Sequence, residues 1–151
     1  MKFLTVFYFC FLLLIGTALS TEDATSSPIG SLIAHLKLEH STIDEEITYN
    51  CKTAGNSPIV GDVLRAALIL YDRGSGVQCR QYSLTGSKCT KLVTSGNAGI
   101  QLCGDVDQWL QCRRVGVASI DFIGTCEGLI DGKWRVGGYM NVSSKRISVV
   151  I

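Results

Sequence analysis

The sequence predicts an α+β fold: a two-layer sandwich in which an antiparallel sheet carries two helices on one face, stapled by three disulfides. Three observations predict it. Apolar spacing switches between strand and helix periods in the order β-α-β-β-α-β-β. Six of the seven cysteines lie between Cys51 and Cys126, and an even set in an oxidising compartment reads as three bridges. Residues 46–151 are few enough that their core is small, which makes disulfides the natural reinforcement.

The chain ends separate from this body. Met1 and Lys2 precede an apolar run from Phe3 to Ile15, broken only by Thr5, and Ala18-Leu19-Ser20 follows as a small-residue cleavage site. Residues 1–20 therefore read as a secretory signal peptide. A membrane anchor is the alternative, but the apolar run is shorter than the ~20 residues a spanning helix needs. Removing the signal removes Cys10 and leaves six cysteines.

The total charge of +1 hides a boundary. Residues 21–50 hold six acids against one base, Lys37, a net of −5. Residues 51–151 hold twelve bases against seven acids, a net of +5. Residues 21–45 form an acidic, flexible leader, Ser/Thr-rich over Thr21–Pro28 and weakly amphipathic at Leu32, Ile33 and Leu36. A pro-segment that shields the basic body is the other reading. No dibasic site separates leader from body, since Arg113-Arg114 and Lys145-Arg146 fall inside predicted elements.

Glu46–Lys52 alternates and is rich in β-formers, so it is a strand. Ser57 then Pro58 reads as an N-cap and first helical position, and Val60, Val63, Leu64, Ala67, Leu68 and Tyr71 follow at helical spacing. That gives a helix at about residues 59–73, closed by Gly74 in a left-handed position. Residues 74–87 are a Gly/Ser-rich loop anchored by Cys79.

Residues 88–104 read as two strands about the turn Ser95-Gly96-Asn97. If Thr94 pairs with Ala98, Cys89 falls opposite Cys103, at a separation a disulfide can bridge. One face then carries Leu92, Ile100 and Leu102 and is buried. The other carries the disulfide, Lys91 and Gln101 and meets solvent. A slip of one residue would exchange the faces.

Asp105 or Asp107 can cap a second helix at about residues 108–126. Its stripe of Cys112, Val115, Gly116, Ser119, Phe122, Ile123 and Cys126 suggests a helix stapled at both ends. Gly116 costs helix propensity, so close packing on the sheet calls for a small residue there. Gly128 and Gly132 belong to an exit loop. Trp134–Val142 and Arg146–Ile151 are the last strands, joined by a turn at Ser143-Ser144. Gly137-Gly138 inside a strand signals a bulge or a close backbone approach.

Several of these segments together resemble the killer-protein-four family of small secreted fungal toxins. Ile47-Thr48-Tyr49-Asn50-Cys51-Lys52 is similar to the family's opening strand, Gly61-Asp62-x-Leu64 to its first helix, and Lys91-Leu92-Val93-Thr94-Ser95-Gly96-Asn97 with Ile100 to its central hairpin. A helix from Cys112 to Cys126 and a last hairpin ending Ile147-Ser148-Val149-Val150 complete the resemblance, which spans residues 46–151 in element order. It implies the pairs Cys51–Cys126 and Cys79–Cys112, which leaves Cys89 with Cys103. It also implies that Lys91 matches an exposed lysine the family uses against calcium uptake in target cells. The bland alternative is a solvated strand lysine. This chain departs from the founding toxin in having fewer cysteines and a wider cysteine spacing on the second helix, so fold and activity can part company.

Chemistry in the body is sparse. The two histidines, His35 and His40, both lie in the leader, so no histidine-based triad, general base or metal site can be built in residues 51–151. The acid pairs Asp105/Asp107 and Asp121/Glu127 lie near helix ends, where carboxylates commonly cap. No C-x-x-C, phosphate-loop or dinucleotide motif occurs. The expectation is therefore a non-enzyme without metal or cofactor.

What remains is basic surface: Lys91, Lys88, Arg113 and Arg114 as the partner-binding candidates, with Arg135, Lys145 and Arg146 nearby in sequence. Asn141-Val142-Ser143 is a glycosylation sequon. These readings converge on a secreted, monomeric toxin or effector. Its partner would be a target-cell surface or membrane protein (a calcium-transport protein by the resemblance) or a cell-wall polymer. Nucleic acid is not expected, because aromatic residues are not interleaved with the basic ones. The alternatives are a non-toxic effector that masks an extracellular partner, and a small secreted hydrolase.

Overall fold

The computed structural model describes residues 46–84, 88–142 and 147–150. Residues 1–45, read from the sequence as signal peptide and leader, and residues 143–146, which hold the expected turn at Ser143-Ser144 and the pair Lys145-Arg146, lie outside the described residues. The elements are β1 (Ile47–Cys51), α1 (Val60–Asp72), β2 (Gln78–Arg80), β3 (Cys89–Ser95), β4 (Ala98–Cys103), β5 (Trp109–Gln111), α2 (Cys112–Cys126), β6 (Gly128–Ile130), β7 (Lys133–Arg135), β8 (Gly138–Val142) and β9 (Ile147–Val150). Five strands form one antiparallel sheet in the order β1-β8-β9-β4-β3. Two small ribbons, β2-β5 and β6-β7, flank it.

Period-two alternation decides which sheet face is buried. Met140 and Val142 on β8, and Ala98, Ile100 and Leu102 on β4, are buried, with Ile47 and Tyr49 of β1 packed alongside. They meet Val63, Ala67 and Leu70 of α1 and Val115, Phe122 and Ile123 of α2. The Tyr49 and Phe122 rings lie 6.0 Å apart and tilted by 58°, within the range where aromatic pairs attract. The fold is the expected two-layer α+β sandwich.

The helices touch backbone to backbone. A Cβ placed on Gly116 would lie 2.6 Å from the Tyr71 nitrogen and 2.7 Å from the Ala67 carbonyl oxygen. The small residue was expected to serve packing on the sheet; it serves packing on α1.

The disulfides are Cys51–Cys126, Cys79–Cys112 and Cys89–Cys103, with Cα separations of 5.1, 4.9 and 3.9 Å. These are the pairs the resemblance implies. Cys112 and Cys126 are the first and last residues of α2, so that helix is tied at one end to the β2-β5 ribbon and at the other to the main sheet. Three intrachain bridges fit an oxidising environment. No helix among the described residues is long and apolar enough to cross a membrane.

Several expected boundaries change. Ser57 does not cap α1: its hydroxyl accepts the Ala54 N–H at 2.9 Å, closing a local turn, and the helix begins at Val60 after Ile59 with no side-chain cap. The second helix starts at Cys112, not near residue 108, and neither Asp105 nor Asp107 caps it. Trp109–Gln111 is drawn instead into pairing with Gln78–Arg80, a strand within the segment read as loop. Asp131-Gly132 is not exit loop but the turn of the β6-β7 hairpin, with φ of 51° and 70°, the signature of a type I′ turn. The long strand Trp134–Val142 breaks at Val136-Gly137, where the chain leaves β6 and joins β1. The break is a close approach, with the Lys52 N–H donating to the Gly137 carbonyl at 2.8 Å.

The β3-β4 register is as expected at one end and shifted at the other. Cys89 faces Cys103 and Lys91 faces Gln101, but Val93 faces Ile100 and Thr94 faces Gly99 rather than Ala98. Leu92 is the extra residue of a bulge. The bulge absorbs the slip, so the apolar face stays inward on both sides of it. Its freed carbonyl accepts the Arg73 guanidinium at 3.2 Å.

Candidate functional site

The face of the sheet turned away from the helices is where the principal candidate lies. On β4, Leu102 and Ile100 point to the core, so Gln101 and Cys103 point outward. The strand register carries this across the sheet in two rows. One runs Asn50–Tyr139–Val150–Gln101–Lys91. The next runs Thr48–Asn141–Ser148–Cys103–Cys89. None of the eight residues on β1, β8, β4 and β3 in these rows is buried.

Lys91 is exposed at the β3 end of the first row. At the other end Lys52 lies over Tyr139, its Nζ 5.3 Å from the ring centroid, close enough for a cation–π attraction. Four strand spacings separate β1 from β3, or ~19 Å. Two lysines thus bracket a row that holds Asn50, Tyr139 and Gln101, with the Val150 position between Tyr139 and Gln101. Lys52 and Tyr139 were not among the expected site residues. They are visible only once β1 and β8 are known to pair.

The other candidates do not join Lys91. Lys88 is exposed just before β3, and its backbone carbonyl accepts the Gly104 N–H at 3.1 Å. Arg113 lies in the helical layer, stacked 4.1 Å from the Tyr71 ring centroid and donating to the Tyr71 hydroxyl at 2.7 Å. Arg114 follows it on α2, half-buried. The Arg135 guanidinium donates to the Ser57 carbonyl. Arg113 and Arg114 therefore stand on α2, apart from Lys91 on the outer sheet face and Lys88 before β3, and the four do not form one patch. Helical spacing and strand alternation cannot reveal that division, which depends on which side of the sheet the helices take.

The acids are occupied separately. The Asp107 carboxylate lies 3.7 Å from the Arg80 guanidinium. Asp121 acts on Tyr49: burial first, and the Asp121 charge second, push the Tyr49 phenol up to about 12. Among the described residues, no group of three or more His, Cys, Asp or Glu side chains is placed to hold a metal ion.

A second surface was not anticipated. Around the β2-β5 ribbon, Tyr82 and Leu84 are 64% and 77% exposed, and Val77, Val106 and Trp109 are exposed beside them. Gln81 anchors this corner. It is fully buried, its amide donates to the carbonyls of Lys88 and Ser83 at 2.7 and 3.0 Å, and its Oε1 accepts from the Ser83 N–H at 2.7 Å and from the Thr90 hydroxyl. A buried glutamine so satisfied ties Ser83, Lys88 and Thr90 to one another.

The chain matches no protein-family model, no curated protein and no solved structure.

Proposed function

We propose that the chain is a secreted, disulfide-stabilised toxin or effector of the killer-protein-four type. It would act by binding a surface component of a target cell, with Lys91 as the contact that matters most. The observation that carries this reading is the position of Lys91: exposed, at the edge of the sheet face on which neither helix packs among the described residues, beside the Cys89–Cys103 bridge. A cation held on a rigid open face is suited to an anionic group on a membrane protein or wall polymer. The calcium-transport protein enters through the resemblance alone. The bland account of Lys91 also has physical content, since β3 is an edge strand and edge strands carry lysines and bulges to discourage pairing. Growth assays on fungal and plant cells with purified protein separate the two. Inhibition that added calcium relieves is the expected result, and no inhibition of any cell would overturn the toxin reading.

The ribbon favours a second reading, a non-toxic effector that binds an extracellular protein. Its exposed Tyr82, Leu84 and Trp109 are residue types that anchor protein interfaces. Recovery of a specific extracellular partner whose binding Tyr82→Ala abolishes, without growth inhibition, would favour it.

A further inference from the structure

We infer that Asn141 carries an N-linked glycan and that this glycan covers the outer sheet face, restricting access to Lys91. Asn141-Val142-Ser143 is an acceptor sequon. The fold decides where its sugar would stand. Val142 is 4% exposed and points into the core, so Asn141, its neighbour on β8, points to the opposite face. It lies in the second row, between Thr48 of β1 and the Ser148 position of β9. Both helices pack on the other face, and neither Thr48 nor Asn141 is buried.

The chemistry is a glycosyl transfer onto a chain entering the secretory lumen. The Asn141 amide nitrogen attacks the anomeric carbon of a lipid-diphosphate-linked oligosaccharide. A C–N bond forms, the C–O bond to the diphosphate breaks, the amide loses one proton, and the lipid diphosphate departs. Transfer to the unfolded chain makes a mid-strand asparagine an acceptable target, and folding then carries the sugar onto the sheet. Asn141 and Lys91 are three strands and one row apart, roughly 16 Å. A branched oligosaccharide rooted at Asn141 sweeps that distance. A sheet face left open to water is also a face that can pair or adsorb, and a glycan there keeps it solvated.

Any effect on growth inhibition rests on the Lys91 reading above; site occupancy and the chemical accessibility of Lys91 do not. The test expresses the full chain in a eukaryotic secretory host. Peptide N-glycosidase in heavy-oxygen water converts a glycosylated Asn141 to labelled aspartate, which peptide mass mapping reads. Lysine acetylation by an N-hydroxysuccinimide ester is then followed on the glycosylated protein, the enzymatically deglycosylated protein and N141Q. Lys133, exposed on the separate β6-β7 ribbon, is the internal reference. The expected result is an occupied site and a severalfold slower acetylation of Lys91 relative to Lys133 in the glycosylated form only. The deglycosylated wild type serves if N141Q folds poorly. An unmodified Asn141, or an equal Lys91-to-Lys133 ratio in all forms, would overturn the inference. Loss of toxicity differences with the acetylation contrast intact would instead count against the Lys91 reading.

Discussion

The carboxylate of Asp62, on the first turn of α1, accepts the backbone N–H of Asn97 at 3.2 Å, across the turn that joins β3 to β4. Asp62 is buried, with Arg65 beside it at 3.7 Å. Gly96 has φ of +52° and lies so close to Asp62 that a side chain there would collide with the carboxylate. The two segments Gly61–Leu64 and Lys91–Asn97, far apart in sequence, are thus one structural unit. The helix start holds the tip of the hairpin whose outer end presents Lys91.

Asp62→Ala should therefore cost about 1–3 kcal/mol, because it strands a part-buried N–H without its acceptor. Urea unfolding of the variant checks this. Unchanged stability would mean that the turn holds itself.

Gly116→Ala should destabilise even though alanine is the better helix former by about 1 kcal/mol. The added methyl meets backbone of α1 at Tyr71 and Ala67, which cannot rotate away. Overpacking of this kind costs about 1–3 kcal/mol. A higher melting temperature in the variant would show that the helices are not in such close contact.

The disulfides close loops of different lengths, with sequence separations of 75 for Cys51–Cys126 and 14 for Cys89–Cys103. On the chain-entropy model the first contributes about 4.5 kcal/mol and the second about 3 kcal/mol. Paired cysteine-to-serine variants should rank in that order by denaturant midpoint. The reverse ranking would locate the bridges' effect in native contacts.

Alkaline stability should depend on Tyr49. Its phenol, ordinarily near 10, is pushed up to about 12 by burial and by Asp121. The folded state holds this proton more tightly than the unfolded chain does. The associated stability is complete below pH ~10 and is lost as pH rises toward ~12. Tyr49→Phe should flatten the stability profile in that window, read by unfolding at stepped pH. An unchanged slope would assign the loss to other groups.

How much of this was legible in the sequence follows from the physics of each element. The five strands of the main sheet carry β-branched runs or alternation, and α1 carries a clear helical stripe; all were found. The β2 and β5 strands have three residues each, too short to show a period, and their partner lies 30 or so positions away. The Asp131-Gly132 turn is legible as an Asp-Gly pair with Ile130 before it and Trp134 one residue beyond Lys133, although the surrounding glycines make the segment read as exit loop. The bulge at Leu92 was hidden because both registers keep an apolar residue inward. Gly116 announced a close approach but not its partner, since helix-on-helix and helix-on-sheet packing leave the same mark on one helix. At the candidate site, Lys91 and its outward direction followed from alternation within one hairpin. Lys52, Tyr139 and the separation of Arg113 from Lys91 required the order β1-β8-β9-β4-β3, which no local pattern encodes.

The central claim is that Lys91 acts on a target cell and does not serve only as an edge-strand charge. Lys91→Gln removes the charge from an exposed side chain that no core contact depends on. The most direct measurement is the inhibition of a sensitive cell's growth by this variant and by the wild type at matched concentration, after non-reducing peptide mapping has established the three disulfides in both. The account predicts equal folding and loss of inhibition in the variant. Full inhibition by a correctly bridged Lys91→Gln protein would contradict it.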